Sequence, residues 1–329
     1  MNTQKDVAKA AGVSLKTVSR VMNDEEGVKP ETKAKVRQLM SELGYQPSVA
    51  AQLMRSKSSN IVGFIANRVA TSYSSIDLIR GAQDMAWELG RRMMLVSTTG
   101  TSEDQKQAEA ELAQFRADTV IYATIAHQEV SLDPSPQRRI LLNCFQQTPS
   151  CPTFVPDDYG MARSLTATII ERGYRRPLFL NLSEDHVGAR LRRAGFVDEA
   201  QARGLDFSGQ VIAGLVRVGD GHRQCVDEVL PSLLAKGDPP DLILCGQDQL
   251  AMQVYAQLAL AGLRVGQDVG VASFDNQTPI ADNISPGLST MALPYYEMGR
   301  LAMQTACQDA PLSAKIIRVP SVLVERGSF

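Results

Sequence analysis

Apolar positions change their spacing near residue 60, and the change divides the chain into two unlike parts. Before it they recur three and four apart over short stretches: Val7, Ala8 and Ala11, then Val18 and Val21, then Val36, Leu39, Met40 and Leu43. Such stripes fit short helices with one buried face. Thr3 to Asp6 reads as a capping box that opens the first helix. Gly12 and Val13 stop it, Ser14 caps a second helix over 15–22, and Pro30 and Gly44 bracket a third. Two short helices joined by a glycine turn and covered by a third make a helix-turn-helix candidate. Beyond residue 60, apolar runs at 61–66, 93–97, 119–122, 140–143, 177–181, 210–213, 242–245 and 270–274 alternate with helical patterns. The helices fall at 76–89, 103–116, 160–172, 187–202, 224–235 and 250–261. Strand-helix-strand alternation predicts parallel sheets, with enough material for two doubly wound lobes.

On the second helix, Val18 and Val21 face inward and leave Leu15, Lys16, Ser19 and Arg20 outward, toward its N-terminal end. A lysine or arginine there can donate to guanine and an apolar neighbour can touch a thymine methyl. The same pattern also describes an ordinary solvated helix. Charge bears on the choice. Residues 1–60 hold ten Lys/Arg against six Asp/Glu, net +4, while the rest holds 24 against 30, net −6. A basic head on an acidic body is the asymmetry expected of a nucleic-acid reader.

Other chemistry is sparse. Five scattered cysteines form no CxxC pair and fit reduced thiols, and three isolated histidines suggest no metal cluster. There is no GxxxxGK[ST], GxSxG, HExxH or GxGxxG motif, so the chain reads as a binder and not an enzyme. With no signal peptide and no apolar run of membrane-spanning length, a cytoplasmic protein is expected.

The wording of the head sharpens this. KDVAKAAGVSLKTVSRVMN followed by GVKPETKAKVRQLMSELGYQPS strongly resembles the DNA-binding domain of the LacI, or lactose-repressor, family. The resemblance implies a head over 1–46 that reads DNA through Leu15, Lys16, Thr17, Ser19, Arg20 and Asn23. It implies a hinge over 47–59 that enters the minor groove with Val49, Ala50, Ala51 and Met54. Met54 stands where relatives usually carry a leucine wedge. The alternative is a flexible linker.

GARLRRAGF (188–196), LCGQDQLAMQVY (244–255), GVASFDNQ (270–277) and LSTMALPYYEMGRLAM (288–303) extend the resemblance to the family's periplasmic-binding-protein-like type I core. It implies an effector-binding and dimerisation domain over 60–329, with lobe 1 at about 60–157 and 292–312, and lobe 2 at about 158–291 and 313–329. Arg192 and Asp275 match the family's effector arginine and aspartate, Gln247 a position usually held by asparagine, and Asn143 one often held by aspartate. A guanidinium and a carboxylate each suit the paired hydroxyls of a sugar. Asn67 and Ser72 would line a further wall, although the segment around them departs from the family pattern, and Phe274 and Tyr295 are the candidate stacking rings. Asp248 suits either the pocket or a helix cap, and Arg68 either an anionic effector or solvent. Trp87 is expected in core packing, and His186 and His222 on surface loops.

The implied function is a repressor of sugar-utilisation genes. It acts as a homodimer on a pseudo-palindromic double-stranded operator, with a sugar-derived effector, no cofactor and no membrane partner. Without a C-terminal heptad segment a tetramer is not expected. The rivals are a stand-alone sugar-binding protein and a sugar-metabolising enzyme with a DNA-binding head.

Overall fold

The computed structural model describes residues 2–22, 24–45, 59–69, 76–219, 221–235, 239–308 and 310–329. Asn23, Val49, Ala50, Ala51, Met54 and Ser72 lie outside the described residues. The chain forms two units, Met1–Ser59 and Asn60–Phe329.

In the head, α1 (Gln4–Ala11), α2 (Leu15–Met22) and α3 (Pro30–Glu42) bury Val7, Ala8, Ala11, Val18, Val21 and Val36 together. The backbone N–H of Thr3 donates to the Asp6 carboxylate at 2.8 Å, closing the capping box. The Thr3 hydroxyl and amide together hold the Asp6 carboxyl below its ordinary range. Gly12 turns the chain with φ of 68°, a left-handed conformation that favours glycine. Ser14 then accepts from the Thr17 amide at 3.1 Å.

The body consists of two lobes with one strand order. In lobe 1, β1 (Ile61–Asn67), β2 (Arg92–Thr98), β3 (Thr119–Glu129), β4 (Arg138–Phe145) and β5 (Thr153–Pro156) pair as β5-β4-β3-β1-β2, all parallel. Helices α4 (Ile76–Glu88) and α5 (Ser102–Gln114) connect the first three. The chain then crosses to α6 (Asp158–Glu171), β6 (Pro177–Asn181), α7 (Val187–Ala202) and β7 (Val211–Ala213). A hairpin of β8 (Leu215–Val218) and β9 (Gly221–Gln224) follows, then α8 (Val226–Leu234), β10 (Leu242–Cys245), α9 (Asp248–Leu260), β11 (Gly270–Asp275), α10 (Thr278–Ala281) and β12 (Ser289–Ala292). Lobe 2 pairs as β12-β11-β10-β6-β7. After a second crossing, α11 (Tyr295–Ala306) packs into lobe 1 with its Met298, Ala302 and Met303 buried. Finally β13 (Ile316–Val319) adds to β5 in parallel and β14 (Val322–Val324) adds to β12 antiparallel, after a third crossing.

This is the expected pair of doubly wound lobes, with corrections. Residues 316–319 belong to lobe 1, not to lobe 2, because they pair with Thr153–Pro156. The helix expected at 224–235 starts at Val226, since Gln224 is spent pairing with Leu215 in the hairpin. Trp87 is 69% exposed instead of buried. The inner face of α4 is filled by Leu78, Ala82, Met85 and Ala86, which turns residue 87 outward. Strand β3 runs on to Glu129 through an irregularity between Ala123 and Gln128. Among the described residues no helix is long and apolar enough to cross a membrane.

Candidate functional site

In doubly wound sheets the ligand crevice lies beyond the carboxyl ends of the strands, where the strand order reverses. Here that places Asn67 at the end of β1, and Gly246 and Gln247 just after β10, at the two reversal points. Asn67 is buried and donates from Nδ2 to the Tyr122 hydroxyl at 2.9 Å, while its buried Oδ1 has no partner among the described residues. Gly100 closes over it: a Cβ there would stand 2.7 Å from Asn67 Oδ1.

Two strands away, Asn143 has φ of 59° and no exposed surface. Its backbone carbonyl accepts from the Thr124 hydroxyl at 2.9 Å and its Nδ2 donates to the Thr124 carbonyl at 3.1 Å. That clip sits at the irregularity of β3. Asn143 Oδ1, like that of Asn67, is a buried acceptor left unmatched. Buried polar atoms are nearly always paired, so two orphaned amide oxygens at strand ends mark a place where a donor is expected.

Lobe 2 supplies the charges. Arg192 is only 6% exposed, donates from Nε to Asp158 Oδ1 at 2.8 Å and from Nη1 to the Gly246 carbonyl at 2.7 Å. Its guanidinium lies 4.8 Å from the centroid of Phe274, whose ring has no exposed surface and also packs near Phe179. Burial opposes ionisation of Asp158, yet the charge of Arg192 and the bond from His127 outweigh it and hold the carboxyl below its ordinary value. His127 Nδ1 is 2.7 Å from Asp158 Oδ2. An ionised carboxylate can only accept, so Nδ1 carries the proton. His127 stands on β3 and Asp158 opens α6, so this carboxylate clasps lobe 1 to lobe 2.

Asp275 ends β11 with φ of 119°, a strained conformation for a residue with a side chain, and accepts from Gln277 Nε2 at 2.9 Å. Burial and the nearby charge of Asp248 raise its carboxyl above the ordinary range. Asp248 itself is fully buried and is not the cap of its helix, a position held by Gln247. Its oxygens accept from the Gln277 amide at 2.6 Å and the Thr290 hydroxyl at 2.8 Å, bracing the segment after Asp275. Gln247 is half-buried at the N-cap of α9. Tyr295 is buried at the second crossing, and burial followed by the charge of Asp275 pushes its phenol up. Arg68 is exposed. Thus Asn67, Asn143 and Asp275 lie at or near strand ends, Gln247 and Tyr295 at helix starts, and Arg192 inside α7 above Phe274.

In the head, Leu15 is 43% exposed and Lys16 exposed beside it, while Thr17, Ser19 and Arg20 are half-buried. Residues 3–48 match the bacterial regulatory proteins of the lacI family, and residues 166–329 match the periplasmic binding protein-like domain. The sucrose operon repressor of Escherichia coli is 32% identical over 333 residues, spanning the whole of both chains. The chain belongs to the LacI family. A second LacI-family relative, the ribose operon repressor of Escherichia coli strain K12, is 28% identical over 347 residues, again spanning both chains. The crystal structure of the lac repressor dimer bound to operator and the anti-inducer ONPF has the same fold, with a TM-score of 0.75 at 24% identity, covering 99% of this chain and 98% of that one.

The LacI-family resemblance did not bring out His127 and Asp158. The legible signal was the Asp157-Asp158 pair at a helix start, where one carboxylate caps: Asp157 accepts from the Gly160 amide at 3.1 Å. The second is therefore left to do something else. Nor are the histidines isolated, since the rings of His186 and His222 lie 4.7 Å apart.

Proposed function

We propose that this chain is a cytoplasmic, homodimeric repressor of sugar-utilisation genes. Its operator affinity is set by a neutral sugar held between the two lobes, and it catalyses no reaction. The observation that carries the effector class is the pair of orphaned amide oxygens on Asn67 and Asn143, acceptors suited to hydroxyl donors. Arg192 is already neutralised by Asp158, and the carboxyl of Asp275 is biased toward its uncharged form, so the cleft offers hydrogen bonds in preference to net positive charge. That favours a polyol over a sugar phosphate. A ligand that binds one lobe arrangement better by about 3 kcal/mol changes operator affinity roughly a hundredfold.

Thermal unfolding of the full chain against neutral sugars and their phosphates tests the effector class. A neutral sugar at about 100 times its Kd should add about 2.7 kcal/mol of stability. Asn143→Gly, which tolerates the φ of 59° while removing the amide, should abolish that gain. Stabilisation by phosphorylated sugars alone would reject the neutral-sugar reading.

For the head, Lys16→Ala is expected to weaken binding to the specific operator by about tenfold or more, with little change on unrelated DNA at the same salt. Equal losses on both would reduce Lys16 to a phosphate contact. The homodimer finds support in the apolar side chains that a single chain leaves uncovered on α4 and the sheet-edge strand β2, Trp87 and Leu95 among them.

A further inference from the structure

Away from the cleft floor, the loop after β6 and the β8-β9 hairpin bring together Asp185, His186 and His222. One potential ligand atom from each lies within 4.8 Å of the others. His222 Nε2 faces Asp185 Oδ2 at 2.9 Å, and the two imidazoles are tilted against each other at 4.7 Å. His186 Nε2 is buried and has no partner among the described residues, although its residue is partly exposed. Two histidines and a carboxylate form a donor set that suits a borderline divalent ion, with one position left open.

We propose that Asp185, His186 and His222 form a binding site for a divalent transition-metal ion of the zinc class, which pins the β8-β9 hairpin to the start of α7. Ligand nitrogens and oxygens at about 2.0–2.1 Å from a tetrahedral ion stand about 3.4 Å apart, so the widest separation closes by at most about 1.4 Å while the His222 to Asp185 pair, at 2.9 Å, opens slightly. The neighbouring cations are already engaged. Arg190 donates to the Glu184 carbonyl, Arg193 pairs with the Glu184 carboxylate at 2.7 Å, Arg192 with Asp158 at 2.8 Å, and Arg223 with Glu228. Cys225, the cysteine nearest in sequence, is buried with its thiol pushed up by that burial, so it does not compete as a thiolate. Arg192 lies six residues beyond His186 on the same helix, so metal occupancy would stiffen the element that carries the cleft arginine.

The test is titration of the full, tag-free chain with Zn2+ against a chelating dye, repeated with Co2+ as a spectroscopic probe. One ion per chain is expected at micromolar or lower Kd, with the intense visible bands of a four-coordinate cobalt site. His222→Ala and His186→Gln should each weaken binding by at least about tenfold. His222 is exposed on a hairpin, so its variant keeps the fold, and an unchanged urea midpoint without metal verifies this. Affinity unchanged in both variants, a six-coordinate cobalt spectrum, or no binding up to about 1 mM would overturn the proposal.

Discussion

Arg192→Ala is expected to cost the folded body about 3–5 kcal/mol, in addition to abolishing the effector response, because it strands a buried carboxylate. Asp158 is 1% exposed, and among the described residues its side-chain partners are Arg192 and His127. The alanine also removes the donor to the Gly246 carbonyl and the cation over Phe274. A urea midpoint at pH 7 reads the loss. Asp158→Asn in the same chain should restore most of the stability without restoring effector binding, giving a double-mutant cycle with a large coupling term. The pH dependence has a defined sign. The folded carboxyl lies below its ordinary value of 3.8, so the stability it contributes is complete above that value and is lost as pH falls through the lower folded-state value. The penalty of Arg192→Ala should therefore be full at pH 7 and shrink in strong acid, where Asp158 no longer carries charge. A penalty under about 1 kcal/mol at pH 7 would mean that water reaches Asp158 and that the arginine serves the ligand alone.

The second large effect concerns the crossing of α4 and α11. A Cβ on Gly81 would stand 1.9 Å from the Tyr296 carbonyl oxygen, and one on Gly299 would stand 2.2 Å from that of Leu78. Both clashes are with backbone, which cannot turn aside as a side chain would, so a single methyl forces the helices apart across the core of lobe 1. Gly81→Ala and Gly299→Ala should each destabilise by about 3 kcal/mol, the upper end of overpacking costs. Gly209→Ala, with nothing within 4 Å of its built Cβ, should stay within about 0.5 kcal/mol of the parent. Chemical denaturation of the three variants checks the contrast, and equal midpoints would show that the helix crossing yields.

The head was legible in the sequence because its signals are local: a cap at Thr3, a left-handed glycine at 12, a serine at 14 and a three-four spacing of apolar residues. The long strands and helices of the body were legible for the same reason. Several short strands were not, although the equally short β7 and β10 were. TFVP at β5 and STMA at β12 carry too few residues to show a period, and they become strands by pairing with neighbours distant in the chain. The assignment of 316–319 failed on the same ground, since only pairing with β5 decides which lobe owns it. Trp87 shows the limit of composition: bulk suggested burial, but its helix already had an inward face. Asn67, Asn143, Arg192 and Asp275 could be named as effector candidates from the resemblance. His127 could not, because a lone histidine gains its meaning from a carboxylate 31 residues away across the lobe boundary.

The three crossings also bear on how the protein is made. A ribosome releases β1 to β5 early, yet the strand that covers the outer edge of β5 is β13, more than 150 residues later, and lobe 2 waits equally late for β14. The β5 edge of lobe 1 therefore stays open through about half of synthesis, the kind of surface that invites pairing with another nascent chain, and the β12 edge stays open over a shorter stretch. The last strand of each sheet, Ile316–Val319 and Val322–Val324, is added within nine residues of the other, so the lobes complete together. A premature stop before residue 316 would leave both unfinished.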